Sequence, residues 1–135
     1  MRKLFSAGFT NGTVNFSLLL LRVVFGAMLL THGWPKLMNF AGLAHKFPDP
    51  LHVGHATSLG MTVFAEVFCS VFVILGLLTR LAAIPLVILM GVALFMIHGH
   101  DPIAEKEKAI LYLAAFIVIL FCGPGRVSFD SLIGR

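Results

Sequence analysis

Two ionisable residues interrupt otherwise apolar runs of the sequence: Arg22 in LLLLRVVFGAMLL and Glu66 in MTVFAEVFCSVF. A charge in hydrocarbon costs at least ~2.5 kcal/mol unless it is paired or hydrated, so each needs a partner. Arg22 stands twelve residues before Trp34 and Glu66 nine residues after Thr57. In helical rise those offsets are about 18 Å and about 14 Å, less than an arginine's length apart. An Arg22–Glu66 ion pair between neighbouring helices is therefore expected. Such a pair can simply fix which helix faces which. Alternatively, its carboxylate, in a low-dielectric site, can exchange a proton or hold the polar head of a bound molecule. The residues themselves leave both roles open.

The histidines add a second pattern. His45, His52, His55, His98 and His100 fall outside the apolar runs, and His32 sits at the end of the first. His52 and His55 are three apart and His98 and His100 two apart, so a haem or metal site at this mouth is conceivable. No cysteine or carboxylate stands at a fixed metal spacing, and no metal ligand is assigned. The alternative is a polar, aromatic mouth, with His32 and His98 turned inward beside Trp34, Lys36 and Tyr112. A quinone needs a flat apolar slot and one or two donors for its carbonyl oxygens, which this mouth can provide.

These residues must be positioned by helices in a bilayer. The chain has 135 residues, 59% of them hydrophobic and 12% charged, with a mean hydropathy of +0.98. Its sixteen charged residues could hardly cover a soluble domain of this size. Four apolar runs, about 14–34, 59–78, 81–97 and 109–122, predict four spans in a single domain covering 1–135. The last two are short, and a re-entrant course is the alternative for either, but Thr79-Arg80 and Lys106-Glu107-Lys108 can snorkel and extend them. Lipid forces the backbone to satisfy its own hydrogen bonds, so the fold class is an all-α integral membrane four-helix bundle. Gly26, Gly33, Gly60, Gly76 and Gly91 are read as close-approach positions, and Pro85 as lying near a helix start.

The turn Leu78-Thr79-Arg80 predicts a tight hairpin, and the GPGR sequence at 123–126 ends the last helix. The stretch from Met38 to Ser58 is a true loop with room for a short interfacial segment. An even number of spans puts Arg2, Lys3, Arg80, Arg126 and Arg135 on one side. Lys36, Lys46, Lys106 and Lys108 lie on the other, with Asp49, Asp101, Glu105 and Glu107. That balance predicts that both termini are cytoplasmic. No cleaved signal peptide is read at the N-terminus. The cations are scattered, which argues against nucleic acid despite the net charge of +4. Cys69 and Cys122 are read as two buried thiols.

Three segments carry a resemblance: LLLRVVFGAMLLTHGWPKL, FAEVFCSVFVILGLLTRLAA and EKAILYLAAFIVILFCGPGRVSFD. Together they resemble the DoxX family over nearly the whole chain. The resemblance implies a four-helix bacterial inner-membrane protein. Its relatives include a subunit of thiosulfate:quinone oxidoreductase and proteins linked to quinone, catechol or oxidative stress. The family's polar signature falls on Arg22, Gly26, His32, Gly33, Lys36, Glu66, Arg80, Glu107 and Tyr112. Glu66, Arg22 and His32 are accordingly the candidate catalytic residues. His32, Trp34, Lys36, His98, Glu107 and Tyr112 are the candidate ring-binding set.

The leading expectation is a quinone-interacting membrane subunit of an oxidoreductase system, with a protein partner or a second copy of the chain. The sequence lacks a dinucleotide-binding glycine motif and a C-x-x-C pair, so the other redox centre must come from elsewhere. A non-catalytic scaffold or assembly factor is the first alternative. A small transporter or metal- or haem-handling protein is the second.

Overall fold

The computed structural model describes residues 2–134; Arg135 and the side chains of Arg2 and Lys3, three of the cations behind the orientation argument, lie outside the description. Helix α1 (Asn11–Met38) starts where Thr10 and Thr13 cap each other's backbone N–H groups, at 3.2 and 3.1 Å. It runs through Pro35 and gives way to a short helix, α2 (Phe40–Leu43), in the loop. The second rod, His55–Leu75, comprises α3 (His55–Val63), a π-helical stretch Phe64–Cys69 and α4 (Ser70–Leu75). The third, Thr79–Ile97, is α5 (Thr79–Val92) continued by a second π-helical stretch, Ala93–Ile97. Helix α6 (Ile103–Cys122) and the short α7 (Phe129–Ile133) complete the chain.

The architecture is all-helical, with no strand among the described residues. Three rods are long and apolar enough to cross a membrane: Asn11–Met38, His55–Leu75 and Thr79–Ile97, with mean hydropathies of 1.9, 2.1 and 2.4. Helix α6 has 20 residues, about 30 Å at 1.5 Å per residue. It is diluted by Glu105, Lys106, Glu107 and Lys108 in its first two turns. Leu29, Val73, Ala83, Leu86, Phe116 and Ile119 form the core between α1, α4, α5 and α6, all at most 2% exposed. A second cluster, Leu59, Val63 and Val67, packs under Phe40, Leu43 and Phe47 of the loop.

Contacts of α1 with the second rod fix the register. A Cβ at Gly33 would lie 2.6 Å from the Glu66 Cβ, and one at Gly26 2.6 Å from the Ile74 side chain. The two rods touch there because these positions carry no side chain. Gly60 and Gly91 play no such part: the nearest atom to a Cβ at Gly60 is 3.9 Å away, and none lies within 4 Å at Gly91. Gly76 serves the reversal instead, at φ +70°. The turn falls at 76–78, two residues earlier than expected, because Thr79 and Arg80 already belong to α5. Pro85 is likewise well inside α5, six residues past its start, and so leaves the Leu81 carbonyl without a helical donor. Cys69 is buried but Cys122 is exposed, so only one of the thiols fits the expectation.

Candidate functional site: a buried ion pair in a lateral cavity

The register brings Glu66 against the C-terminal part of α1, one helical turn before Lys36. Lys36 Nζ donates to both carboxylate oxygens of Glu66, at 2.8 and 3.0 Å. The Glu66 side chain is 8% exposed and that of Lys36 28%, so the pair is shielded on the acid's side and open on the base's. The Lys36 ammonium also lies 6.0 Å from the centre of the Phe47 ring. An ammonium has three N–H donors and two are committed here, which leaves one for a further acceptor.

This pair forms part of the wall of a cavity of about 640 Å³ between the second and third rods. Phe64, Ala65 and Glu66 line it from the first π-helical stretch, and Ala93 and Ile97 from the second. A π-turn inserts a residue into the helix and rotates the side chains around it, and such turns concentrate at functional sites. Phe47, Pro48, Pro50 and Leu51 form the roof. That roof is tied down by Asp49, whose carboxylate accepts from Val53 N–H at 3.0 Å, Gly54 N–H at 2.8 Å and the Ser58 hydroxyl at 2.8 Å. Desolvation pushes the Asp49 carboxyl up, but these donors outweigh it and hold the group below the usual range. The rim residues Met61, Phe64 and Ile88 are 47, 52 and 59% exposed, so the cavity opens sideways onto the apolar flank. His98 lines it where the third rod ends, with Nδ1 2.7 Å from Asp101 Oδ2.

The expected Arg22–Glu66 pair does not form. Arg22 lies at the other end of the bundle and is 1% exposed. Its Nε donates to Val73 O at 2.9 Å and Nη2 to Ile74 O at 3.0 Å, while Nη1 donates to Pro124 O and Val127 O at 2.7 Å each. The guanidinium thus closes the C-terminal end of α4 and pins the GPGR loop against it. The depth argument failed because it took Trp34 and Thr57 as level, whereas Glu66 is level with Gly33. Eleven residues then separate Arg22 from Glu66's level, about 16 Å.

Around Arg22 this end of the bundle is tied by further hydrogen bonds. Asp130 accepts from Leu78 N–H at 2.7 Å and Thr79 N–H at 2.9 Å, capping α5 from a distant part of the chain, and its own N–H donates to Gly76 O at 2.8 Å. Desolvation raises the Asp130 carboxyl, but the Thr79 and Leu78 bonds and the Arg22 charge bring it below the ordinary value. A side chain at Gly76 would collide with Ser128 and lie 2.7 Å from Arg22 Nη2.

Of the remaining candidates, Lys36 and His98 share the cavity with Glu66, and the others do not line it. His32 is exposed and meets Tyr112 edge-on, with ring centres 6.3 Å apart. Tyr112 is 6% exposed, stacks on Phe116 at 6.1 Å, and its hydroxyl has no hydrogen-bond partner. Trp34 is 53% exposed on the outside of α1, and Glu107 is exposed on the first turns of α6. His45, His52, His55 and His100 are exposed as well, and His55 Nδ1 lies 2.6 Å from Phe47 O. Among the described residues no three His, Cys, Asp or Glu side chains are grouped so as to hold a metal ion. The sequence reading missed Asp101 and Ser58, which lie outside the apolar runs, and Thr62, an uncharged residue inside the second run.

The family model for DoxX matches residues 17–99, which takes in most of the first rod, the second and third rods and both walls of the cavity. An uncharacterized membrane protein of Mycobacterium tuberculosis is 30% identical, over 88% of this chain and 82% of its own. Two uncharacterized proteins of Haemophilus influenzae are 32 and 29% identical, over 86 and 88% of this chain and 90 and 84% of theirs. No solved structure matches. With the family model covering more than half of the sequence and relatives alike along most of their length, the chain is a membrane protein of the DoxX family.

Proposed function

We propose that this chain is the quinone-interacting membrane subunit of an oxidoreductase system, a multi-pass protein of the bacterial inner membrane. It crosses four times, with both termini in the cytoplasm. The fourth pass is α6, whose apolar part, 109–122, is about 21 Å long and is extended toward the width of the hydrocarbon core by the four snorkelling charges of its first turns.

The observation that carries the function is the Lys36–Glu66 pair in the wall of a cavity open to the lipid flank. The two charges cancel, so the cavity favours a neutral head over a phosphate or carboxylate, while the third Lys36 N–H remains for a carbonyl oxygen. A quinone supplies two-electron redox chemistry when bound. Lys36 orients its carbonyl, the Glu66 carboxylate can hold or release a proton beside it, and His98, oriented by Asp101, offers a proton path at the outer end. The electrons come from a partner protein carrying a redox centre. A scaffold or assembly role is the second reading, favoured by the wholly structural use of Arg22.

Calorimetric titration of the purified protein with a short-tailed ubiquinone or menaquinone analogue tests the proposal. Saturable binding is expected, weakened at least tenfold by Glu66→Gln and by Lys36→Met. The absence of saturable binding, or full retention in both variants, favours the scaffold.

A further inference from the structure

A second cavity, of about 380 Å³, lies between the second rod, from the π-helical stretch into α4, and the first half of α5. It is lined by Phe64, Cys69, Phe72, Leu81, Ile84 and Pro85 among others, all of them apolar. It shares Phe64 and Pro85 with the cavity of the ion pair. The two are therefore neighbouring sections of one groove, divided where Phe64 of the second rod faces Pro85 of the third. From Phe64 to Leu78 the groove follows fourteen residues of chain, on the order of 20 Å. Small Ala82, 5% exposed, forms its floor, while Leu81 and Ile84, 63 and 44% exposed, form its outer edge.

We propose that this inner section seats the long apolar tail of the molecule whose neutral polar head lies against Lys36 and Glu66, with the Phe64 ring marking the passage from head to tail. The inference rests on the quinone reading of the head site and specifies its substrate class as a polyisoprenoid quinone. Continuity argues for one occupant. A head held at the ion pair must send its tail out of the same cavity, and the apolar exit past Phe64 leads into the groove. The groove offers no charge, so it selects for chain length and not for a second polar group.

The test titrates ubiquinone analogues of increasing isoprenoid length against the wild type and two groove-filling variants, Leu81→Trp and Ile84→Trp, both at exposed positions. Wild-type affinity should rise at least tenfold along the series and level off once the tail reaches Leu78. In the variants the rise should disappear, while the shortest analogue binds within twofold of wild type, which also reports that they are folded. An equal rise in wild type and both variants would mean that the tail lies in bulk detergent and would overturn the tail seat, leaving the head site intact. If no analogue binds the wild type at all, both readings fall. Native mass spectrometry adds a further arm. A phospholipid displaced by long-tailed but not by short-tailed quinone supports the seat, and one that stays bound beside the long-tailed quinone contradicts it.

Discussion

Each end of the bundle holds a cation against buried partners, Arg22 at 1% exposure and Lys36 at 28%, and the two are used in opposite ways. At the end near the C-terminal segment Arg22 gives four of its five N–H groups to backbone carbonyls, and the surrounding glycine, serine and aspartate pack closely about it. At the opposite end Lys36 neutralises Glu66 but keeps one N–H unspent, in a cavity bounded by two π-helical stretches. A buried charge is thus no marker of function by itself. What separates the two is where the unspent donor lies: at Arg22, 1% exposed, it is enclosed among packed residues, and at Lys36 it stands in the wall of a cavity.

The largest effect should follow from removing Arg22. Each buried carbonyl left without its donor costs about 1–3 kcal/mol, so Arg22→Ala should lose at least ~3 kcal/mol, or more than about 10 °C of melting temperature in detergent. Arg22→Lys, which reaches fewer acceptors, should fall between that variant and the wild type. Thermal unfolding of Glu66→Gln measured side by side should show a smaller loss, because the amide keeps a hydrogen bond to Lys36 and the ammonium remains partly hydrated. Equal losses in Arg22→Ala and Glu66→Gln would erase the distinction between the two ends.

Acid should act next, through Asp130. Its folded pKa is depressed, so its contribution to stability is fully present above the unfolded value of about 3.9 and is lost as pH falls through the folded value. Melting temperature should therefore decline below about pH 4 in the wild type, and more shallowly in Asp130→Asn, which starts less stable. Identical slopes would show that the cap contributes nothing. The smallest effect is expected at His32, exposed and away from the cavity: His32→Ala should change stability by no more than ~0.5 kcal/mol and quinone affinity by less than twofold. A tenfold loss of affinity would move the site toward Tyr112.

The apolar runs, the helical class and the family resemblance were all legible in the sequence, because lipid leaves the backbone few options. The ends of α1 and α6 were not, since Asn11 and Ile103 begin helices among polar residues that hydropathy discounts. Arg22 and Glu66 stood out correctly as charges needing partners, yet the partners depended on which residue of α1 meets Glu66. The contact at Gly33 decides that, through a one-to-one fit between rods that spacing within either rod does not encode. Gly33 and Lys36, three apart on one helical face, were the available signal. The π-helical stretches at 64–69 and 93–97 carry no composition of their own, so the cavity between them emerged only in three dimensions.

The most direct measurement is photoaffinity labelling with an azido-quinone, followed by peptide mapping. The account predicts quinone-competable labels within residues 58–66 and 88–98, around the Lys36–Glu66 cavity, and their loss in Glu66→Gln. Labels confined to 73–80 and 123–130, around Arg22, or labels that excess quinone does not displace, would contradict it.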